Sequence, residues 1–256
     1  MNALEVNKLT KTFGGVKAVD NISFTVHEGE TLSIIGPNGA GKTTVFNLIT
    51  RYYSPDSGAV NLFGKETTRI EPYKLPRLGI GRTFQNLRLF QNMTVLENIR
   101  SAILQKHGYN LLSGIFRTKH HGDAEESARK KARELIDFLK LSGKEDYEAR
   151  NLPYGEQRKL ELARALSIEP KLMLIDEPGA GMNPKEIQDL VKTIQTVKET
   201  FKLTIVIIEH QMGLVMNISD RIIVMDFGEK IMEGTPEEVK KDRRVIEAYL
   251  GEDFHC

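Results

Sequence analysis

Residues 31–44 of this 256-residue chain, TLSIIGPNGAGKTT, decide its fold. A short apolar run rich in isoleucine ends at Gly36, and a helix-compatible segment begins near Gly41. Residues 36–43 match G-x-x-x-x-G-K-[ST] at every fixed position, in the strand–loop–helix context that this motif requires. The stretch therefore predicts a phosphate-binding loop (the P-loop) and a nucleoside triphosphate site.

The residue types in the P-loop suit the binding of phosphate groups. Glycines let backbone N–H groups turn toward phosphate oxygens, and the N-terminus of the following helix adds positive potential. The amine of Lys42 is expected to reach the outer phosphates, and the hydroxyl of Thr43 is expected to coordinate Mg²⁺. The predicted nucleotide-binding residues of this segment are Gly36, Pro37, Asn38, Gly39, Ala40, Gly41, Lys42, Thr43 and Thr44.

Residues 171–178 predict a second buried strand, whose apolar residues are followed by two adjacent carboxylates. Asp176 at the end of the run suits the coordination of Mg²⁺ through a bound water, and Glu177 suits the role of general base. Adjacent carboxylates at a strand end often serve only as helix cap and surface charge. Because a complete P-loop is also present, we interpret this pair as part of a hydrolytic site.

A third apolar run, residues 203–208, ends two residues before His210. Continuous apolar runs, unlike alternating ones, predict a parallel sheet that is covered on both faces. Ligands of such sheets gather at the carboxyl ends of the strands. Gly36, Asp176 and His210 are therefore expected along one edge, together with Gln85, which ends a further predicted strand. On its own, a histidine at this position would be a core residue more often than a ligand.

The composition bounds the class of protein. The formal net charge is +1, with 40% hydrophobic and 28% charged residues, and this even balance gives no support to a nucleic-acid-binding face. No apolar run approaches the roughly 18–20 residues needed to cross a bilayer. The single cysteine, Cys256, favours a reducing cytosol. If the protein works at a membrane, another chain is expected to cross it.

The rest of the chain alternates between strand and helix patterns. Residues 3–28 and 59–63 predict strands, and for Phe13 position alone favours a core residue over an adenine platform. Helices are predicted after caps at Thr94, Asn183 and Thr235 and over residues 123–141, and residues 107–122 predict a surface insertion. The helix after Asn183 is expected to bury Ile187, Leu190, Val191, Ile194 and Val197.

These residues together resemble the ATP-binding subunit of an ABC transporter, over essentially the whole chain. Those that carry the resemblance, in order, are Phe13, the P-loop, Gln85, residues 152–157 (LPYGEQ), Asp176, Glu177 and His210. The resemblance implies one α/β domain over residues 1–256. Its P-loop ATPase core, residues 1–85 and 166–256, would combine a mainly parallel sheet with an antiparallel β subdomain, and residues 86–165 would form an inserted helical subdomain.

The resemblance also implies roles. Phe13 would stack on adenine, Gln85 would sense Mg²⁺ and the membrane partner, and His210 would hold the γ-phosphate. Residues 180–183 would cross a dimer interface. Two subunits would enclose two ATP molecules, each between the P-loop of one subunit and residues 152–157 of the other, hereafter the signature segment. The implied cofactors are ATP and Mg²⁺; Thr43, Gln85 and Asp176 are the predicted metal ligands, and Glu177, His210 and Gln85 the predicted catalytic residues.

The signature segment departs from the usual Leu-Ser-Gly-Gly-Gln. Pro153 removes the hydroxyl and the N–H that a serine would offer to the γ-phosphate. The predicted contacts that remain are Tyr154, Gly155, Glu156 and the N-terminus of the following helix. A signature without the Ser-Gly pair resembles the ATPases of branched-chain amino-acid importers.

The leading hypothesis is therefore an ATPase that powers import of branched-chain or hydrophobic amino acids from the cytoplasmic face of the membrane. Its expected partners are integral membrane permease subunits and either a second, non-identical ABC ATPase or another copy of itself, with no nucleic acid. Two alternatives stay open: the ATPase of another ABC system, such as lipid or lipopolysaccharide export, and a soluble ABC-type ATPase. An export ATPase would share every catalytic residue, because the transported substrate contacts other chains.

Overall fold

The computed structural model describes residues 1–106 and 119–250. Most of the predicted insertion, residues 107–122, lies outside this described part. The chain divides into two compact units: unit 1 is Met1–Ile80 with Lys171–Cys256, and unit 2 is Gly81–Pro170.

Unit 1 contains an antiparallel sheet of four strands in the order β2-β1-β4-β5. The two long strands form where apolar and polar residues alternate, as predicted for residues 3–28, and a turn with Gly14 and Gly15 at positive φ joins them. The strands are β1 (Asn2–Phe13), β2 (Val16–His27), β4 (Ser57–Leu62) and β5 (Lys65–Glu66).

The second sheet has six strands in the order β10-β9-β3-β8-β7-β6. The three predicted apolar runs form adjacent strands: β3 pairs with β8, and β8 with β7, both in parallel. The sheet is mainly parallel, as predicted, and a closing hairpin adds an antiparallel edge. The strands are β3 (Thr31–Ile35), β6 (Ile80–Arg82), β7 (Leu172–Asp176), β8 (Thr204–Ile208), β9 (Arg221–Asp226) and β10 (Glu229–Gly234).

Apolar clusters cover both faces of this second sheet. One cluster joins it to the antiparallel sheet and to the P-loop helix α1 (Lys42–Ile49), through fully buried side chains such as Phe46 and Ile34. The other contains Ile35, Val215 and Val239. It includes residues of α6 (Met212–Ile218), α7 (Pro236–Val239) and α8 (Arg243–Leu250).

Two expectations for the helices of unit 1 need correction. The single helix expected after Thr235 is two: α7 ends after four residues, and α8 begins at Arg243. Helix α5 (Pro184–Phe201) has the predicted capping box at Asn183, but only Ile194 and Val197 of its apolar stripe are buried. The other three stripe residues are partly exposed. The pattern identifies the inward face of a helix, but it does not show how far neighbouring residues cover that face.

Unit 2 is helical. Its helices are α2 (Val95–Lys106), α3 (Lys119–Phe138) and α4 (Tyr154–Ser167). The predicted capping box is present before α2: the Glu97 N–H donates to Thr94 Oγ1 (3.1 Å) and the Thr94 N–H donates to Glu97 Oε2 (2.9 Å). Ala128, Ala132, Leu135 and Ile136 of α3 are buried, and so is Leu139 in the turn that follows; the helix ends at Phe138, three residues before the predicted end at residue 141. No helix in the described part of the chain is long and apolar enough to cross a membrane.

Candidate functional site

The sheet register brings the ends of the apolar strands to one edge of unit 1. Ile34 pairs with Ile208, and Ile208 pairs with Asp176. Since neighbouring strands lie about 4.8 Å apart, the strand of the P-loop and the strand of Asp176 are about 10 Å apart, with β8 between them. The P-loop, Glu177 and His210 follow these paired residues directly, as their places in the sequence predicted.

Two glycines of the P-loop are required by close backbone contacts. Gly36 has φ +148°, and a Cβ added there would lie 2.0 Å from the carbonyl oxygen of Met225. Gly41 has φ +95°, and its added Cβ would lie 2.1 Å from the carbonyl oxygen of Ala18. Any side chain at either position would therefore displace backbone, which is why the loop needs glycine there.

Lys42 and Thr43 begin helix α1 with opposite exposure. The Lys42 side chain is buried, and its amine donates to the carbonyl oxygens of Gly36 and Pro37, at 2.7 Å each. These bonds hold the positive charge inside the curve of the loop. Thr43 is exposed, so its hydroxyl is accessible to a ligand.

The two predicted carboxylates differ in environment. Asp176 is 2% exposed at the end of β7, whereas Glu177 is partly exposed and has φ +43°. A non-glycine residue in this left-handed region costs about 1–3 kcal/mol. The Glu177 N–H donates to the carbonyl oxygen of Ile208 (2.8 Å), which anchors this backbone on β8. The fold thus holds Glu177 in a strained turn at the edge of the sheet.

His210 is an exposed side chain, so it is not the core histidine that its position alone favoured. Its Nδ1 lies 3.9 Å from Glu177 Oε2 and 3.4 Å from Glu209 Oε1. The structure therefore brings His210 and Glu177 together. It also brings in Glu209, a fully buried carboxylate that was not predicted as a site residue.

Phe13 lies at the end of β1 with 41% of its surface exposed, so the core interpretation from position alone is wrong. The Tyr53 ring packs edge-on against it, with centroids 5.1 Å apart and an interplanar angle of 69°. The Lys11 amine lies 5.4 Å from the centre of the Phe13 ring and pairs with Asp56. These neighbours support the ring at the surface, and sequence patterns gave no sign of Tyr53.

The predicted site residues of unit 2 surround a buried ion pair. Arg158 donates to the carbonyl oxygens of Phe84 (2.8 Å) and Gln85 (2.6 Å) and to the Tyr154 hydroxyl (2.8 Å). Its partner Glu161 lies 3.2 Å away, and both side chains are nearly buried. Glu161 also accepts from the Phe84 N–H (3.2 Å). Burial raises the pKa of the Glu161 carboxyl above its ordinary value.

The signature segment leads into helix α4. Pro153 is the N-cap residue and supplies no side-chain capping bond, and Tyr154 is the first helical residue. The space around Gly155 is open, because an added Cβ would meet no atom within 4 Å. The Glu156 carboxylate forms an ion pair with Lys144, a partner that the sequence did not predict.

Known sequences similar to this chain are ATP-binding proteins of ABC transporters. A profile of the ABC transporter family matches residues 19–180, and a profile described as a branched-chain amino acid ATP-binding cassette transporter matches residues 229–255. The high-affinity branched-chain amino acid transport ATP-binding protein BraF of Pseudomonas aeruginosa is 43% identical over 249 residues, covering 97% of this chain and 98% of that protein. The protein LivG of Escherichia coli, described in the same words, is 42% identical with the same coverage.

Solved structures are similar over the same length. The ADP conformation of MJ1267, an ATP-binding cassette of an ABC transporter, has a TM-score of 0.85 and 37% identity, covering 98% of this chain and 99% of that chain. A dimeric structure of the cassette MJ0796 bound to ADP and Pi has a TM-score of 0.76 and 25% identity, covering 91% of this chain and 98% of that chain.

Proposed function

Because the chain belongs to the ABC transporter family, we propose that it binds and hydrolyses ATP to power import of branched-chain or other hydrophobic amino acids. The observation that carries the proposal is the edge of the parallel sheet, where one register aligns the P-loop, Asp176–Glu177 and His210. Relatives with at least 42% identity over nearly the whole chain are named for branched-chain amino acid transport.

Unit 1 supplies the groups expected to bind ATP. The Phe13 ring offers an exposed face to the adenine, beside Tyr53 and Lys11. P-loop N–H groups and the N-terminus of α1 would bind the phosphates. Lys42 is already held in the loop, so its charge needs little rearrangement to face them.

The available donors fit Mg²⁺. Thr43 offers an exposed hydroxyl and Asp176 a carboxylate at the end of β7, and Mg²⁺ prefers such oxygen ligands together with substrate phosphates. Gln85, the third predicted ligand, lies in unit 2, three residues after the end of β6 rather than at the strand end as predicted, and its role as a ligand stays a prediction. When bound, the ion would neutralise charge on the phosphate oxygens.

In hydrolysis, we assign Glu177 to the attacking water and His210 to the γ-phosphate. Glu177 is partly exposed, and its backbone is held in a turn by the hydrogen bond to Ile208. Its carboxylate can therefore orient a water and accept its proton. His210, close to Glu177, can donate a hydrogen bond to a phosphate oxygen. Catalysis in phosphoryl transfer rests mainly on such positioning and on charge stabilisation.

The remaining proposals concern assembly. Unit 2 would be the inserted helical subdomain, and Tyr154, Gly155 and Glu156 would contact the ATP bound by a second subunit. That subunit would be a non-identical ABC ATPase or a second copy. Integral membrane permease subunits would bind the protein at the cytoplasmic face of the membrane. A lipid or lipopolysaccharide exporter would use the same ATPase residues and is the second candidate.

The ATPase assignment is tested by two substitutions. Lys42→Ala should abolish ATP binding, whereas Glu177→Gln should preserve binding and remove most hydrolysis, because the first removes a phosphate ligand and the second a water-orienting carboxylate. Binding is measured by titration with labelled ATP, and hydrolysis by phosphate release. Glu199→Gln, an exposed change on α5, is the matched control. Normal turnover by the Glu177→Gln protein would remove Glu177 from the catalytic role.

The transport assignment needs the membrane partner. The tagged chain is purified from membranes, the co-purified integral proteins are identified, and the complex is reconstituted into vesicles. ATP-dependent accumulation of leucine supports amino-acid import, whereas ATP-dependent movement of a lipid-linked substrate without leucine uptake supports the export alternative.

A further inference from the structure

Glu209 is a completely buried carboxylate at the end of β8. Its two oxygens accept three backbone hydrogen bonds. Oε1 accepts from the N–H groups of His210 (2.8 Å) and Gln211 (3.1 Å), and Oε2 accepts from the N–H of Gly179 (3.0 Å). A buried charge is costly unless such donors satisfy it. The side chain therefore ties its own segment to one that lies 30 residues away in sequence.

Gln211 completes the link from the same side. Its side-chain N–H donates to the carbonyl oxygen of Gly179 at 2.9 Å, so both backbone groups of Gly179 are bound. A Cβ on Gly179 would lie 3.0 Å from Glu209 Oε2 and 3.5 Å from Gln211 Cδ. Glycine thus permits the close approach. We call this arrangement of Glu209, Gln211 and Gly179 the Glu209 latch.

The Glu209 latch joins the two segments that carry the proposed hydrolytic groups. Gly179 lies two residues after Glu177, and the Ala180 N–H donates to the Glu177 carbonyl oxygen (3.3 Å). His210 directly follows Glu209, with its Nδ1 at 3.4 Å from the carboxylate. The strained φ of Glu177 has to be maintained by contacts of this kind.

We propose that Glu209 is a positioning residue for ATP hydrolysis, because the Glu209 latch holds the loop after Glu177 on the segment that bears His210. The inference rests on the proposed function for its catalytic consequence. Glu209 itself is buried below the loop and acts through the backbone of Gly179, His210 and Gln211. Displacement of a catalytic group by about 1 Å can cost about 100-fold in rate.

The isosteric variant Glu209→Gln isolates this role. Its single oxygen can still accept the bonds from His210 and Gln211, but its NH₂ group then faces the Gly179 N–H, donor against donor. The bond from Glu209 to the loop is therefore lost, while the volume and packing of the side chain are kept. Gln211→Leu removes the other bond to Gly179. The control is Glu30→Gln, another mostly buried carboxylate, which pairs with Arg221.

The experiment uses the full-length chain and measures ATPase kinetics and amide hydrogen exchange over residues 178–183. In Glu209→Gln we expect kcat to fall about 10- to 100-fold, with KM within about two-fold of the original. Exchange at residues 178–183 should be about ten-fold faster. The double variant should lose about as much kcat as the worse single variant, because both bonds hold the same residue, Gly179, and losing either one releases it. Glu30→Gln should alter neither kinetics nor this exchange.

A Glu209→Gln protein with unchanged kcat and unchanged exchange at residues 178–183 would overturn the proposal. The proposal would also be overturned if the double variant lost as much kcat as the two single variants together, because the two bonds to Gly179 would then act independently. If the Glu209→Gln protein does not fold, kcat and hydrogen exchange over residues 178–183 are measured for Gln211→Leu, and unchanged values there would overturn the proposal. Absence of ATP turnover in the original chain would instead defeat the proposed function, and the exchange measurement would still judge the Glu209 latch.

Discussion

At the scale of single residues, Phe13 shows how neighbours prepare a side chain for a ligand. An exposed aromatic ring is usually free to adopt several rotamers, but Tyr53 and Lys11 pack around this one. Tyr53 in turn packs edge-on against Tyr52 at 5.1 Å. The ring is thus held by contacts on some sides and remains 41% exposed. Stacking on such a fixed ring costs little conformational entropy.

We predict that Phe13→Ala weakens ATP affinity by about 1–3 kcal/mol, the range measured for stacking of bases on aromatic side chains. The melting temperature without ATP should be nearly unchanged, because the ring is not part of the core. Labelled-ATP titration and thermal unfolding measure the two effects. Tyr73→Ala, at an exposed tyrosine elsewhere in unit 1, is the control. A large loss of stability with unchanged affinity would return Phe13 to a structural role.

At the scale of elements, helix α4 is fixed to the chain after β6 by charged side chains. Arg158 and Glu161 bind carbonyl and N–H groups of Phe84 and Gln85 from one turn of the helix. Glu161 also accepts from the Arg88 N–H (3.5 Å). A helix held in this way keeps the signature segment and the segment of Gln85 in one geometry within unit 2. In this arrangement Glu161 is buried, and burial raises the pKa of its carboxyl above the ordinary value.

We predict that Glu161→Gln destabilises the protein by about 1–3 kcal/mol at pH 5, because an amide nitrogen cannot accept the hydrogen bonds that both oxygens of the carboxyl group accept from Phe84 and Arg158. The loss should be largest at low pH. Since the pKa of Glu161 is higher in the folded state, the original protein loses stability as pH rises from about its ordinary value of 4.5, and the variant does not. Urea unfolding at pH 5 and at pH 8 measures the difference.

The control for this prediction is Glu148→Gln, whose more exposed carboxylate pairs with Arg150. Exposed pairs contribute at most about 1 kcal/mol, so this change should matter little at either pH. A Glu161→Gln protein as stable as the original at both pH values would contradict this prediction. It would show that the carbonyl oxygens of Phe84 and Gln85 are sufficient hydrogen-bond acceptors for Arg158.

At the scale of the whole molecule, the sequence predicted what depends on local patterns. The P-loop motif and three continuous apolar runs were enough for the mainly parallel sheet and for Gly36, Asp176 and His210 along its edge. The buried carboxylates were not predictable. Charged residues are usually exposed, and Glu209 and Glu161 turn inward only because donors from 30 and 77 residues away meet them. Such contacts exist only in the folded chain.

The departure in the signature segment bears on assembly. Pro153 offers neither hydroxyl nor N–H, and the Tyr154 hydroxyl is engaged by Arg158. Glu156 is paired with Lys144. What would remain for the γ-phosphate of a second subunit's ATP is the helix end at Gly155, worth about 0.3–1 kcal/mol when exposed and up to about 2 when partly buried. That is little free energy with which to close a dimer.

We therefore predict that the isolated chain is mainly monomeric and hydrolyses ATP slowly. A second, non-identical ATPase would complete each ATP site. Glu177→Gln protein with ATP and Mg²⁺ keeps its nucleotide, so any dimer that can close should accumulate. Light scattering should report a mass near 28.9 kDa for this protein, as for the Lys42→Ala/Glu177→Gln control that cannot bind ATP. Twice that mass, seen only with ATP, would show that this signature closes unaided. A second ATPase would then not be required, because two copies of one chain could form both sites.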